Sequence, residues 1–200
     1  MSNAKDDFNN NIRSINNSIL IYKYLNNNAK NLDSTILLRS QFMLIVSAFD
    51  TYVHSAIINK IIELYFSQNL MIELNVEVPL TLVYRMKNSD EIMQKDLLEN
   101  YLIDKLSKDS FQSPKSIEYA YSILKIDHLW SKLSAISHKS ADDIKNTLAL
   151  IVKRRNKIAH ESDWNKITRK YEEIDLDMVL DCQQFIQETV NGLDELLDDL

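Results

Sequence analysis

From Ile36 to Phe66 the chain runs for 31 residues without a Gly or a Pro, and most of them are apolar: ILLRSQFMLIVSAFDTYVHSAIINKIIELYF. Gly and Pro interrupt helices most strongly, by roughly 1 and 3 kcal/mol relative to Ala. An uninterrupted apolar stretch of this length predicts one long central helix, apolar around much of its circumference and so buried on several sides. The rest of the chain shares the bias, with one Gly and two Pro in 200 residues. The expectation is an all-α protein of one domain, long enough to bury a core without covalent staples.

Other segments fall around that helix. Residues 8–29 place Ile12, Ile15, Ile19, Tyr22 and Leu25 three or four apart, which predicts an amphipathic helix despite its many Asn residues. Asp33 or Ser34 is suited to cap the central helix. Residues 70–84 change character: in MIELNVEVPL, Ile72, Leu74, Val76 and Val78 alternate with polar residues. Period two predicts an extended segment, confined by Pro79 to an edge or loop. Further helices are expected after a cap at Ser89, after Ser113 with Pro114 at the first position, across DHLWSKLSAIS, after a cap at Ser140, and across LDMVLDCQQFIQETVNGLDELL.

Composition narrows the class. A single cysteine, Cys182, excludes an internal disulfide and any multi-cysteine metal site, and its apolar helical setting predicts a buried thiol. The N-terminal MSNAKDDFNNN has no signal-peptide core, and the longest apolar run, residues 42–49, is shorter than a bilayer span. A cytoplasmic protein with no membrane partner is expected. The net charge of −6 opposes binding to a polyanion over the whole surface, but the charge is uneven. Residues 145–170 hold eight Lys/Arg against two acids, net +6, and residues 171–200 hold ten acids and no Lys or Arg, net −10.

The basic segment contains VKRRNKIAHESD. On a helical wheel Leu148, Ile151, Val152, Ile158 and Ala159 form an apolar stripe, and Arg155 falls inside it. Asn156 and His160, four apart, share a face; Arg155 and His160 stand about 140° apart, on flanks that can converge on one cleft. Arg154 and Lys157 are expected to point to water. A buried guanidinium requires an anion because it cannot neutralise itself. The anion is either internal, such as Asp50 of the central helix, or a ligand phosphate, which the planar guanidinium fork fits. A histidine beside it can move protons near neutral pH.

The stretch RRNKIAHESD resembles the Arg–Asn–x–x–x–His signature of HEPN domains. Arg155 and His160 enclose four residues, and Asn156 holds the polar position after the arginine. RSQFMLIVSAFDTYVHSAI (39–57) resembles the central helix of one subgroup, the RiboL-PSP-HEPN family. DHLWSKLS before the motif and IDLDMVLDCQQFIQETV after it match that subgroup in order and spacing. The similarity spans roughly residues 30–195 and is weakest over 70–110. It implies a helical bundle of four to five core helices, here about 30–197, with an extra N-terminal helix and a loop or extended insertion over 67–89, extended near 70–85. It also implies a homodimer with facing motif helices, and metal-independent RNase activity in many members, often toxins paired with an antitoxin or antiphage enzymes. By position, Arg155 holds the scissile phosphate, His160 acts as general base or acid, and Asn156 orients either of them. The products implied are a 2′,3′-cyclic phosphate and a 5′-OH, with no cofactor and no metal.

Around that site, Lys153, Arg154, Lys157, Lys166, Arg169 and Lys170 can steer an RNA backbone or form a solvated basic face. Trp164 can stack a base or serve as an amphipathic anchor. Asp50 can pair with Arg155, and Glu161 can border the site. Three readings stand: a dimeric endoribonuclease, a noncatalytic helical dimerisation module that binds nucleotide, RNA or a partner protein, and an Arg155 that is purely structural.

Overall fold

A computed structural model describes residues 3–67 and 74–200. Among these are eight α-helices and one two-stranded hairpin. Helix α1 spans Ala4–Asn28, and the Asn3 side chain caps it by accepting from Lys5 N. Its buried stripe is Ala4, Phe8, Ile12, Ile15 and Ile19. The helix begins four residues before the expected 8, because Asn3 supplies a cap and Phe8 an apolar anchor against Tyr52, with ring centroids 5.9 Å apart.

Helix α2, Thr35–Phe66, is the long central helix that the missing Gly and Pro predict. Asp33 Oδ1 accepts from Thr35 N at 3.0 Å and Thr35 Oγ1 at 2.6 Å, tying down its first turn. Its buried residues lie all around its circumference, and α1, α4, α5, α7 and α8 all pack on it. Taken whole, α2 is long and apolar enough to cross a membrane by length and composition, which the 42–49 run alone is not. In this fold it is the core.

The period-two segment is half realised. From 74 to 78 the chain is neither helix nor strand, with Leu74, Val76 and Val78 half-buried and Asn75 and Glu77 exposed, and Asn75 N donates to Ile123 O at 2.8 Å. Residues 70–73 of the expected extended stretch lie outside the described residues. The expected loop over 67–89 does not continue, because Leu80–Lys87 is a helix, α3. Pro79, with φ −60° and ψ 139°, stands just before the first helical residue, where its missing N–H costs nothing. Leu82 and Met86, four apart, then bury a face against α4, Glu91–Leu106. The cap of α4 is Asp90 rather than Ser89, with Oδ1 accepting from Met93 N.

Ser113 and Pro114 start α5, Pro114–Ser122, as expected. Helix α6, Leu129–Ser137, is followed by α7, Ala141–Glu161, capped by Ser140 with Asp142 and Asp143 in its first turn. Helix α8, Leu176–Asp198, closes the bundle. The only glycine, Gly192, lies where α8 meets α6: a Cβ there would sit 2.4 Å from Leu133 Cδ1. Cys182 is buried on α8, and burial pushes its thiol up to about 12. Between α7 and α8, β1 (Trp164–Asn165) pairs antiparallel with β2 (Lys170–Tyr171), a hairpin absent from the sequence expectation.

Candidate active site

Helix α7 buries Ile144, Leu148, Ile151 and Ile158. Arg155, four residues after Ile151 and three before Ile158, is carried to the edge of that buried stripe and is half-buried. Its Nε is buried and has no hydrogen-bond partner; its Nη1 donates to Asn156 Oδ1 at 3.1 Å. Asn156 and His160 are exposed on the outward face. Ala159, expected in the apolar stripe, is also exposed. Arg155 and His160 lie five residues apart in the last turns of α7, about 140° around its axis.

Among the described residues no acidic side chain pairs with Arg155, and Asp50, one candidate for that role, is engaged elsewhere. Asp50 accepts from Phe111 N at 2.6 Å and from Gln112 Nε2 at 2.9 Å, and lies 3.7 Å from His54 Nε2. It fastens the loop before α5 to α2 rather than pairing with Arg155.

Arg154 and Lys157 do not point freely to water. Arg154 Nη2 donates to Asp163 Oδ2 at 2.7 Å and to Glu173 O at 2.9 Å, and Lys157 pairs with Glu172. Both cations hold the chain that follows α7. Lys153 and Glu161 are exposed, with no ion pair among the described residues. Trp164, 39% exposed, meets Tyr171 edge to face, with ring centroids 5.1 Å apart.

Sequence reasoning missed the partner of Arg154. Asp163 is fully buried, and its Oδ2 also accepts from Arg39 Nε at 3.0 Å. Arg39, 6% exposed, further donates to Thr35 Oγ1 and to Glu172 O, both at 2.7 Å. The backbone turns to reach this arrangement: Ser162 and Asp163 have φ of 52° and 61°, and Asp163 N donates to Lys157 O at 3.2 Å. Left-handed residues other than Gly cost roughly 1–2 kcal/mol each, and two charge-assisted bonds to one carboxylate oxygen offset that cost. The available signals were a lone arginine in the apolar stretch 36–66 and an aspartate just beyond the motif helix. Neither reveals the other, because they are 124 residues apart.

Lys157 and Asn165 both donate to Glu172 and hold its carboxyl below the ordinary range. Arg39 also lies 5.1 Å from the Tyr171 ring centroid. The end of α7, the start of α2 and the hairpin are thus one ion-paired unit, and Arg155, Asn156 and His160 stand outside it.

A family model described as RiboL-PSP-HEPN matches residues 6–199. The chain belongs to the RiboL-PSP-HEPN family. The match runs from the first turns of α1 to the end of α8, so in this HEPN-type domain the N-terminal helix lies inside the matched region. No curated protein and no solved structure gives a significant match to the chain. The all-α architecture agrees with membership of a HEPN-type family, and the Arg155–Asn156–x–x–x–His160 stretch occupies the last turns of its α7.

Proposed function

We propose that this chain is a metal-independent endoribonuclease whose active site is completed by a second copy of itself. One observation carries the reading. Of the three cations Arg154, Arg155 and Lys157, Arg155 alone lacks an acidic partner among the described residues, and its buried Nε lacks any. A guanidinium already partly withdrawn from water and left unmatched is suited to an external anion. Asn156, held by Arg155, and His160, exposed four residues on, supply polar groups beside it.

RNA carries its own nucleophile. The base removes the proton of the 2′-OH, the 2′-oxygen attacks phosphorus, and the 5′-oxygen leaves with a proton from the acid. A 2′,3′-cyclic phosphate and a 5′-OH result. Arg155 stabilises the charge that grows on the phosphate oxygens. His160 takes one proton-transfer role, and the same residue of the second copy takes the other, since each chain has one histidine in the motif. In the cell this is the chemistry of a toxin-like or defence ribonuclease, held in check by an antitoxin protein.

The test is cleavage of RNA in EDTA. Wild type should cut and leave cyclic phosphate ends. His160→Ala should lose roughly 10²–10⁴-fold in rate with its thermal transition unchanged. Cleavage that EDTA abolishes, or an undiminished His160→Ala rate, would reject the mechanism and favour a noncatalytic module.

A further inference from the structure

Beyond the motif helix, the hairpin brings exposed aromatic rings and cations onto one short ribbon. Residues 164–171 contain Lys166, Arg169 and Lys170 and no acid. All three cations are exposed, and none forms an ion pair among the described residues. This separates them from Arg154 and Lys157, whose charges are matched by Asp163 and Glu172. Trp164 and Tyr171 are cross-strand partners, so both rings project from the same face of the ribbon. They are 39% and 55% exposed.

The ribbon is tied by its own hydrogen bonds although its strands are only two residues long. Asn165 Oδ1 accepts from Ile167 N at 2.9 Å and Thr168 N at 3.0 Å, and Arg169 N donates back to Asn165 O at 2.8 Å. Arg169 takes a left-handed φ of 54° to close the turn. The base of the ribbon is bolted to α2 through Arg39, which lies against the Tyr171 ring and binds Asp163. Two aromatic rings held in place, with unmatched cations on the same short ribbon, form a combination that single-stranded nucleic acid fits: bases stack on the rings and phosphates pair with the cations. A platform tied in this way loses little conformational entropy on binding. An acidic protein would satisfy the cations but would leave the paired rings unexplained.

We propose that the 164–171 hairpin is a single-stranded RNA-binding element, in which a base stacks on the Trp164–Tyr171 pair and adjacent phosphates pair with Lys166, Arg169 and Lys170. This rests on the ribonuclease reading for its choice of RNA, and it gives that reading a means of gripping substrate beside the end of α7.

Binding is measured in full-length chain carrying His160→Ala, so that cleavage does not enter. The probe is a fluorescein-labelled eight-nucleotide single-stranded RNA, with an RNA duplex and a poly-glutamate peptide of similar length for comparison. Single-stranded RNA should bind most tightly and quench tryptophan emission, which reports on Trp164 because Trp130 is buried. Trp164→Ala should weaken binding by roughly tenfold, as for one lost base–aromatic stack, and Trp164→Phe should retain most of the affinity. Changing Lys166, Arg169 and Lys170 together to Gln should flatten the slope of log affinity against log salt by roughly 2, about 0.7 per phosphate on a single strand. If all three variants bind as the parent does, or if poly-glutamate competes equally without quenching, the proposal is overturned. A chain that binds RNA through the hairpin but never cuts it would leave this inference standing and remove the nuclease reading. Cutting that is indifferent to the hairpin would do the reverse.

Discussion

Two arginines adjacent on α7 have opposite surroundings. Arg154 is matched: it shares the buried Asp163 carboxylate with Arg39 and also reaches Glu173 O. Arg155 is unmatched, with a buried Nε and one weakly placed acceptor in the exposed Asn156. The same residue type, one position apart, thus serves architecture in one case and lacks an acidic partner among the described residues in the other. A one-residue step turns the side chain by about 100°, which is enough to move it from an internal carboxylate to a position with none. Charge type alone does not separate the two arginines; the presence of an internal counter-charge does.

The strongest way to break this contrast is to remove the shared anion. Asp163→Ala leaves Arg39 buried without its carboxylate and should destabilise the fold by roughly 3–5 kcal/mol, read from urea unfolding monitored by circular dichroism. A loss below about 1 kcal/mol would place Asp163 among ordinary surface residues and would remove the architectural half of the comparison.

The two arginines themselves sharpen it. Arg154→Ala removes bonds to a carboxylate and to a carbonyl, and should cost roughly 1–3 kcal/mol of stability. Arg155→Ala removes no ion pair and relieves an unpartnered buried Nε, so its unfolding midpoint should stay within about 1 kcal/mol of wild type while RNA cleavage in EDTA falls. Equal destabilisation by the two variants would show that Arg155 has a structural partner after all.

The same pair shows which parts of the molecule were legible in the sequence. Local chemistry was: Ser113 with Pro114, and Ser140 with two following acids, start helices where their side chains predict. The alternation at 74–78 and the long α2 follow from period and from missing breakers. Arg155 was conspicuous because it interrupts an apolar stripe. What could not be read depends on long-range pairing or on unusual backbone. Arg154 looked like a solvent-facing residue because its anion lies beyond a left-handed turn at Ser162 and Asp163, and a turn without Gly gives no compositional signal. The hairpin was hidden for the same reason, since Arg169 rather than Gly takes its positive φ. Helix α3 was masked by the alternating run before it and by Pro79, which reads equally as the end of a strand or the start of a helix. Asp50 is one candidate anion for Arg155 in the sequence because it is a polar interruption of an apolar helix, and only packing shows that Phe111 and Gln112 reach it.

The smallest expected effect tests whether the matched unit and the 164–171 hairpin are coupled. Glu172 has its pKa lowered by Lys157 and then by Asn165, the residue that also shapes the hairpin turn. For a carboxylate with a depressed folded pKa, the stabilising contribution is complete above the unfolded value and is lost as pH falls through the folded one. The Lys157–Glu172–Asn165 link should therefore hold at neutral pH and loosen only in acid, below the ordinary range of a glutamate carboxyl. Trp164 emission in wild type should shift over that range, and in Glu172→Gln, which has no carboxylate to protonate there, the matching part of the shift should vanish. Identical acid profiles for the two proteins would mean that the ribbon is held by Arg39 and Asp163 alone. In that case the matched cluster fixes the base of the hairpin, and Asn165 fixes its turn independently.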